Sequence, residues 1–224
     1  MEKKSGFLIN IYLMVAVVHV FLLNTDQHLY TQISKGLIIP ILVIYAFLQV
    51  GKQWSLLLAL FFSWIGDILL IRSEQEIFFF LGLLAFLIAH ISYLVTFKRF
   101  TYSPKKDINL IGQYVGLGIY LLIFLARITS SLDDMLVPVY AYTIAIAAMV
   151  VMAIRRKGRT NTSSYNTVLL GAVLFVFSDS MIAWNTFYSP IVNAKTWIML
   201  TYVMAQYLIV QGLIWHKKIP QERD

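Results

Sequence analysis

Two aspartates stand where charge is costly. Asp67 lies in "SWIGDILLI" (Ser63 to Ile71) and Asp179 in "FSDSMIAW" (Phe177 to Trp184), each inside a long apolar run. An ionisable group at membrane depth costs a few kcal/mol, so it faces the interior of a bundle and marks function by default. A pair of carboxyls can divide acid and base work, one giving a proton and the other taking it. The same pair could instead hold a proton or cation in a carrier. Helical spacing puts Ser63, Gly66, Asp67 and Leu70 on one face, and places Ser178 and Asn185 seven apart beside Asp179. His90 and Tyr93 share a face of another helix, as do Tyr202 and Gln206 of a third. Tyr140 and Tyr142 follow Pro138, and Lys35 opens a helix near an interface. Asp67, Asp179 and His90 are expected to face one interior cavity.

Other polar and small residues have plainer explanations. Gly82, Ala85, Ala89 and Ser92 on one face, and Gly112 with Gly116, read as close helix packing. A lone Tyr or Gln in a bundle is usually an interhelical hydrogen bond, and His19 reads as a bonded structural residue. Lys35 and Arg72 can snorkel to the interface. Two widely spaced aspartates and one histidine make a poor zinc set. Ser178–Asp179 has no nucleophile elbow around it. No metal, cofactor or serine nucleophile is therefore expected.

The elements that must position these residues are membrane spans. Of 224 residues, 59% are hydrophobic, 13% charged and none cysteine, where a soluble domain has about a quarter charged. Apolar blocks of bilayer length predict an all-α integral membrane protein with eight helices. They run near 7–24, 34–51, 54–71, 77–97, 109–128, 135–154, 167–187 and 194–215. The basic start and apolar run at the amino terminus lack a cleavage site and read as a retained first helix. The termini and even-numbered loops hold 14 of the 18 Lys and Arg residues. The positive-inside rule then puts both termini in the cytoplasm of a cell (inner) membrane protein. The net charge of +7 is a topology signal, and no nucleic acid is needed to explain it.

The chain reads as one domain, 1–224, with two related halves, 1–100 and 108–216. "IIPILVIYAF" aligns with "LVPVYAYTIA" and "IGDILLI" with "FSDSMIA", matching Pro40 to Pro138 and Asp67 to Asp179. Four helices per half give a parallel repeat.

"FSWIGDILLI", "GLLAFLIAHISYLVTF", "VPVYAYTIAIAAMV", "GAVLFVFSDSMIAWNTF" and "YVMAQYLIVQG", in series, resemble the YhhN family of membrane proteins. That family includes the animal transmembrane lysoplasmalogenases. The resemblance implies hydrolysis of the vinyl ether of a lysoplasmalogen, a lysophospholipid drawn from membrane lipid. The products would be a fatty aldehyde and a glycerophospho-ethanolamine or -choline. Protonation of the β-carbon would give an oxocarbenium ion, water would add, and the hemiacetal would collapse. By analogy with glycoside hydrolysis, one carboxyl donates the proton and the other supports the cation or activates water. On that reading Asp67, Asp179 and His90 are catalytic. Lys35, Ser63, Tyr93, Tyr140, Ser178, Asn185, Tyr202 and Gln206 line the substrate site. The competing reading is a small-solute or lipid transporter built on the parallel repeat, with the aspartates as proton or cation sites.

Overall fold

The computed structural model describes residues 2–102 and 109–216. Lys105, Lys106, Lys217, Lys218 and Arg223, which contribute to the predicted orientation, lie outside the described residues. Within them the predicted spans form eight α-helices: α1 (Glu2–Leu22), α2 (His28–Val50), α3 (Trp54–Leu69), α4 (Glu76–Arg99), α5 (Ile111–Ile128), α6 (Leu136–Ile154), α7 (Thr162–Phe187) and α8 (Ala194–Ile214). The helices from α2 to α8, with the short turns that extend some of them, are long and apolar enough to cross a bilayer. Large apolar side chains such as Val17, Phe21, Leu122 and Ile144 point outward, which suits lipid and not water. The protein is an all-α, multi-pass membrane protein.

The largest departures from the predicted helix starts run in one direction, and α1 begins at Glu2 instead of 7. α2 begins at His28 instead of 34, and α7 at Thr162 instead of 167. Hydropathy marks the part of a helix inside the hydrocarbon, whereas backbone bonding carries the helix on through its polar first turns.

Packing is uneven. α3 lies along α4, α7 along α8 and α1 along α2, while α4 also meets α6, and α2 meets both α3 and α8. A Cβ on Gly171 would come within 2.9 Å of the Ala205 carbonyl and the Ile209 amide. Only glycine permits that backbone approach, so α7 and α8 form the tightest pair. α5 is peripheral, with 6% of its most apolar stretch buried.

Pro40 sits inside α2 and has no N–H to offer the Gly36 carbonyl one turn back. In hydrocarbon that oxygen must find another donor. The indole Nε1 of Trp64, on α3, donates to it at 2.9 Å. Thus the proline that breaks one ladder bond docks α3, with Asp67 one turn further on, against α2.

Arg156 belongs to the basic loop after α6 but is fully buried. Its guanidinium donates to the Phe100 and Ser164 carbonyls, each at 3.3 Å, and to Ser164 Oγ at 2.8 Å. Burial lowers its pKa to about 10, so it stays charged at neutral pH and ties together the ends of α4, α6 and α7. It does more than mark topology.

Candidate active site

α3 delivers Asp67 into the bundle, 3% exposed. Its Oδ2 accepts a hydrogen bond from the Tyr202 hydroxyl of α8 at 2.7 Å. Gln206, one turn along α8, donates from Nε2 to the same hydroxyl at 3.2 Å, and its Oε1 accepts from the Tyr93 hydroxyl of α4. The chain Tyr93–Gln206–Tyr202–Asp67 uses each donor once and fixes the orientation of the Gln206 amide. Ser63 sits beside the Tyr93 hydroxyl without a well-directed bond of its own. Lys35 is the cation whose field acts on Asp67.

Asp179 comes from α7, with its side chain 11% exposed. The Tyr142 hydroxyl of α6 donates to its Oδ2 at 2.5 Å. His90 Nε2, on α4, lies 3.4 Å from the same oxygen, at an angle that makes no directed hydrogen bond. The other ring nitrogen settles the proton inventory. Nδ1 lies 2.6 Å from the Phe86 carbonyl, and a carbonyl only accepts, so Nδ1 carries hydrogen. Nε2 is then the nitrogen free to exchange a proton with Asp179. The imidazole is held edge-on by Phe175 and Tyr142, with ring centroids 4.7 and 5.1 Å away. Phe175 also packs against Phe86, Tyr93 and Tyr202, so one aromatic wall joins the two carboxylate networks.

Two cavities meet here. The first, of about 60 Å³, is an apolar slot lined by Phe124, Val139, Tyr142, Ile146, Val176 and Asp179 among others. That volume admits a few waters or a thin chain. The second, of about 310 Å³, is polar and is lined by Lys35, Glu74, Asn185 and Lys195. Leu70, Phe79 and Ile182 line both, so the cavities adjoin.

The carboxylates both face the interior, but Asp67 lines neither cavity. The expectation of one shared cavity gives way to two networks with the aromatic wall between them. Tyr93, Tyr202 and Gln206, expected to line the substrate site, instead form a hydrogen-bonded network with Asp67, with Ser63 at its edge. Lys35 and Asn185 line the polar cavity, and Asn185 Oδ1 also accepts from the Ile191 amide at 2.9 Å. Ser178 spends its hydroxyl on the Ile198 carbonyl at 3.0 Å and acts in α7–α8 packing. Tyr140 is not brought in. Its hydroxyl pairs with Thr129 Oγ1 at 2.9 Å, and Tyr142 takes the place expected of it. Residues two apart on a helix point roughly 200° away from each other, so only one of the two tyrosines could reach Asp179.

The sequence profile of the YhhN family matches residues 30–213. The chain belongs to the YhhN family. Among curated YhhN-like relatives, lysoplasmalogenase TMEM86B of Homo sapiens is 33% identical over 176 residues, covering 76% of this chain and 70% of the relative. The Mus musculus protein of the same name is also 33% identical over 176 residues, with the same coverage. A lysoplasmalogenase of Mycobacterium tuberculosis is 28% identical over 171 residues, covering 75% of this chain and 63% of the relative. No solved structure matches. In this YhhN-family protein the matched segment holds both aspartates, His90, Tyr142 and Tyr202. Tyr142, Phe86, Phe175 and Lys195 were not among the expected site residues. Only Tyr142 carried a signal, as a polar residue one turn after Pro138.

Proposed function

We propose that this protein hydrolyses the vinyl ether bond of lysoplasmalogens, releasing a fatty aldehyde and a glycerophospho head group. The relatives named lysoplasmalogenase favour a hydrolase over a carrier. The observation that carries the reading is Asp179, lining an apolar slot with Tyr142 and His90 on its carboxyl. An alkenyl chain would lie in the slot and its head group in the polar cavity, which places the vinyl ether near the junction at Leu70, Phe79 and Ile182.

Asp179 and His90 share one mobile proton, since Nδ1 is committed to the Phe86 carbonyl. That proton goes to the β-carbon of the vinyl ether and leaves an oxocarbenium ion. Asp179, now ionised and steadied by Tyr142, faces the cation across a site with little water to screen it. Water adds at the cationic carbon and returns a proton to the Asp179–His90 pair. The hemiacetal then separates into aldehyde and alcohol. Asp67, held by Tyr202 and facing Lys35, supplies the second carboxyl and balances the charge that develops beside the wall.

The same reading takes the chain as one domain of two parallel halves. What supports it is spacing: the interval from Asp67 to Asp179 is also the interval from His90 to Tyr202. Each carboxylate is therefore met by the matched residue of the opposite half.

The test is aldehyde release from an alkenyl lysophospholipid by purified protein in detergent. Asp179→Asn should lose about 10²–10⁴-fold, the usual worth of general acid–base catalysis, while eluting as a folded species. Asp67→Asn should also lose activity, by less if it only balances charge. The saturated ether analogue cannot form the cation by protonation and should stay intact. Cleavage of that analogue, or full activity in Asp179→Asn, would overturn the mechanism.

A further inference from the structure

The polar cavity contains more charge than a generic lipid mouth needs. Lys35 enters from the first turns of α2 and Lys195 from the first turn of α8, and both line it. The charge on Lys195 opposes that on Lys35, whose attraction to Asp67 is the larger. Among the described residues neither lysine is in an ion pair, and neither is Glu74, which lines the same space. Two like charges lining one cavity, with Asp67 outside it and Glu74 in no ion pair with either, favour an anion between them. Glu74 on the same cavity supplies the opposite charge at a separate point. The volume, about 310 Å³, falls at the lower end of small-ligand sites. The cavity also continues into the apolar slot through Leu70, Phe79 and Ile182.

We infer that this cavity is a head-group subsite for a dipolar phosphodiester, with Lys35 and Lys195 on the phosphate and Glu74 on the ammonium. The assignment rests on the vinyl ether reading for the identity of the attached chain, but the charge pattern stands without it. Glu74 becomes the residue that separates amine-bearing head groups from a bare phosphate. Lys195 becomes a phosphate ligand supplied by the opposite half of the molecule from Lys35.

Turnover and binding test it separately. Three alkenyl lysolipids are compared, with ethanolamine, choline or no group on the phosphate. Lys195→Met should raise KM for all three about tenfold or more, the worth of a charge-assisted contact, with kcat little changed. Glu74→Gln should raise KM several-fold for the ethanolamine and choline substrates and leave the bare phosphate substrate unaffected or improved. An equal effect of Glu74→Gln on all three, or none on any, would overturn the ammonium contact; unchanged KM in Lys195→Met would overturn the phosphate contact. If wild type cleaves none of them, the hydrolase reading falls. The subsite is then judged by thermal shift with glycerophosphoethanolamine and with inorganic phosphate. Stabilisation by the former, lost in Lys195→Met and weakened in Glu74→Gln, supports the subsite. A shift equal for both ligands and insensitive to Glu74→Gln, or no shift at all, rejects it.

Discussion

Tyr140 and Tyr142 show how a single residue's role depends on helix phase. Tyr142 donates at 2.5 Å to Asp179, whereas Tyr140 bonds Thr129 at the edge of the bundle. A hydrogen bond to a charged group is worth about 1.5–3 kcal/mol, and each 1.36 kcal/mol of barrier is about tenfold in rate. Tyr142→Phe should therefore lower kcat for aldehyde release about 10–100-fold, while Tyr140→Phe leaves it within about twofold. Steady-state kinetics on both variants check this, and equal losses would mean that the Asp179 contact is not what matters. The aspartates themselves were legible because a carboxylate inside an apolar run is so costly. The partners were half legible. Tyr202 and Gln206 announced a shared face by their four-residue spacing. Which tyrosine after Pro138 turned inward could not be read, because apolar residues surround α6 on every side and leave no stripe to set its phase. Phe86 and Phe175 were invisible for the same reason: an aromatic wall and an ordinary core use the same residue types.

At the scale of the helix, the bilayer made the sequence easy to read and the packing hard. Span length follows from hydrocarbon thickness, so the eight helices were found, with the larger errors in the polar first turns of α1, α2 and α7. Nothing in the sequence set α5 at the periphery, since a lipid-facing helix and a buried one are equally apolar. The bond from Trp64 to Gly36 was likewise hidden, although Pro40 stated the need for it. That bond gives an element-scale prediction. Trp64→Phe keeps the ring but leaves the Gly36 oxygen without a donor at membrane depth, at a cost of about 1–3 kcal/mol. Thermal unfolding in detergent should show a lower Tm. Adding Pro40→Ala restores an N–H to the same carbonyl, so the double variant should recover part of the loss. A double variant less stable than the two single losses combined would show that Pro40 matters through the bend in α2 and not through the orphan carbonyl.

For the whole molecule the issue is direction. With an even number of helices both termini lie at one end of the bundle, and the polar cavity, set at the starts of α2, α4 and α8 and the ends of α3 and α7, lies at the other. Basic residues crowd the end that holds the termini. Lys98, Arg155 and Arg159 line one recess there, while the cavity end carries Lys35, Arg72, Arg127 and Lys195 beside Asp26, Glu74, Glu76, Asp133 and Asp134. Insertion retains basic loops on the cytoplasmic side, so the head-group cavity should face away from the cytoplasm. Reporter fusions at Asp224 and within the 188–195 loop should accordingly give opposite signals, the first cytoplasmic and the second not. The charge argument also says how the result can be shifted. Neutralising Arg155, Lys157 and Arg159 together should weaken retention of that loop and yield a mixed population, whereas neutralising Lys195 should not. Arg156 is left out because its buried bonds to Phe100 and Ser164 would confound folding with orientation. The same side for both wild-type fusions would mean that α8 does not cross and would sink the eight-span arrangement. Reversed signals would keep the eight helices and place the cavity, with whatever substrate it takes, at the cytoplasmic leaflet.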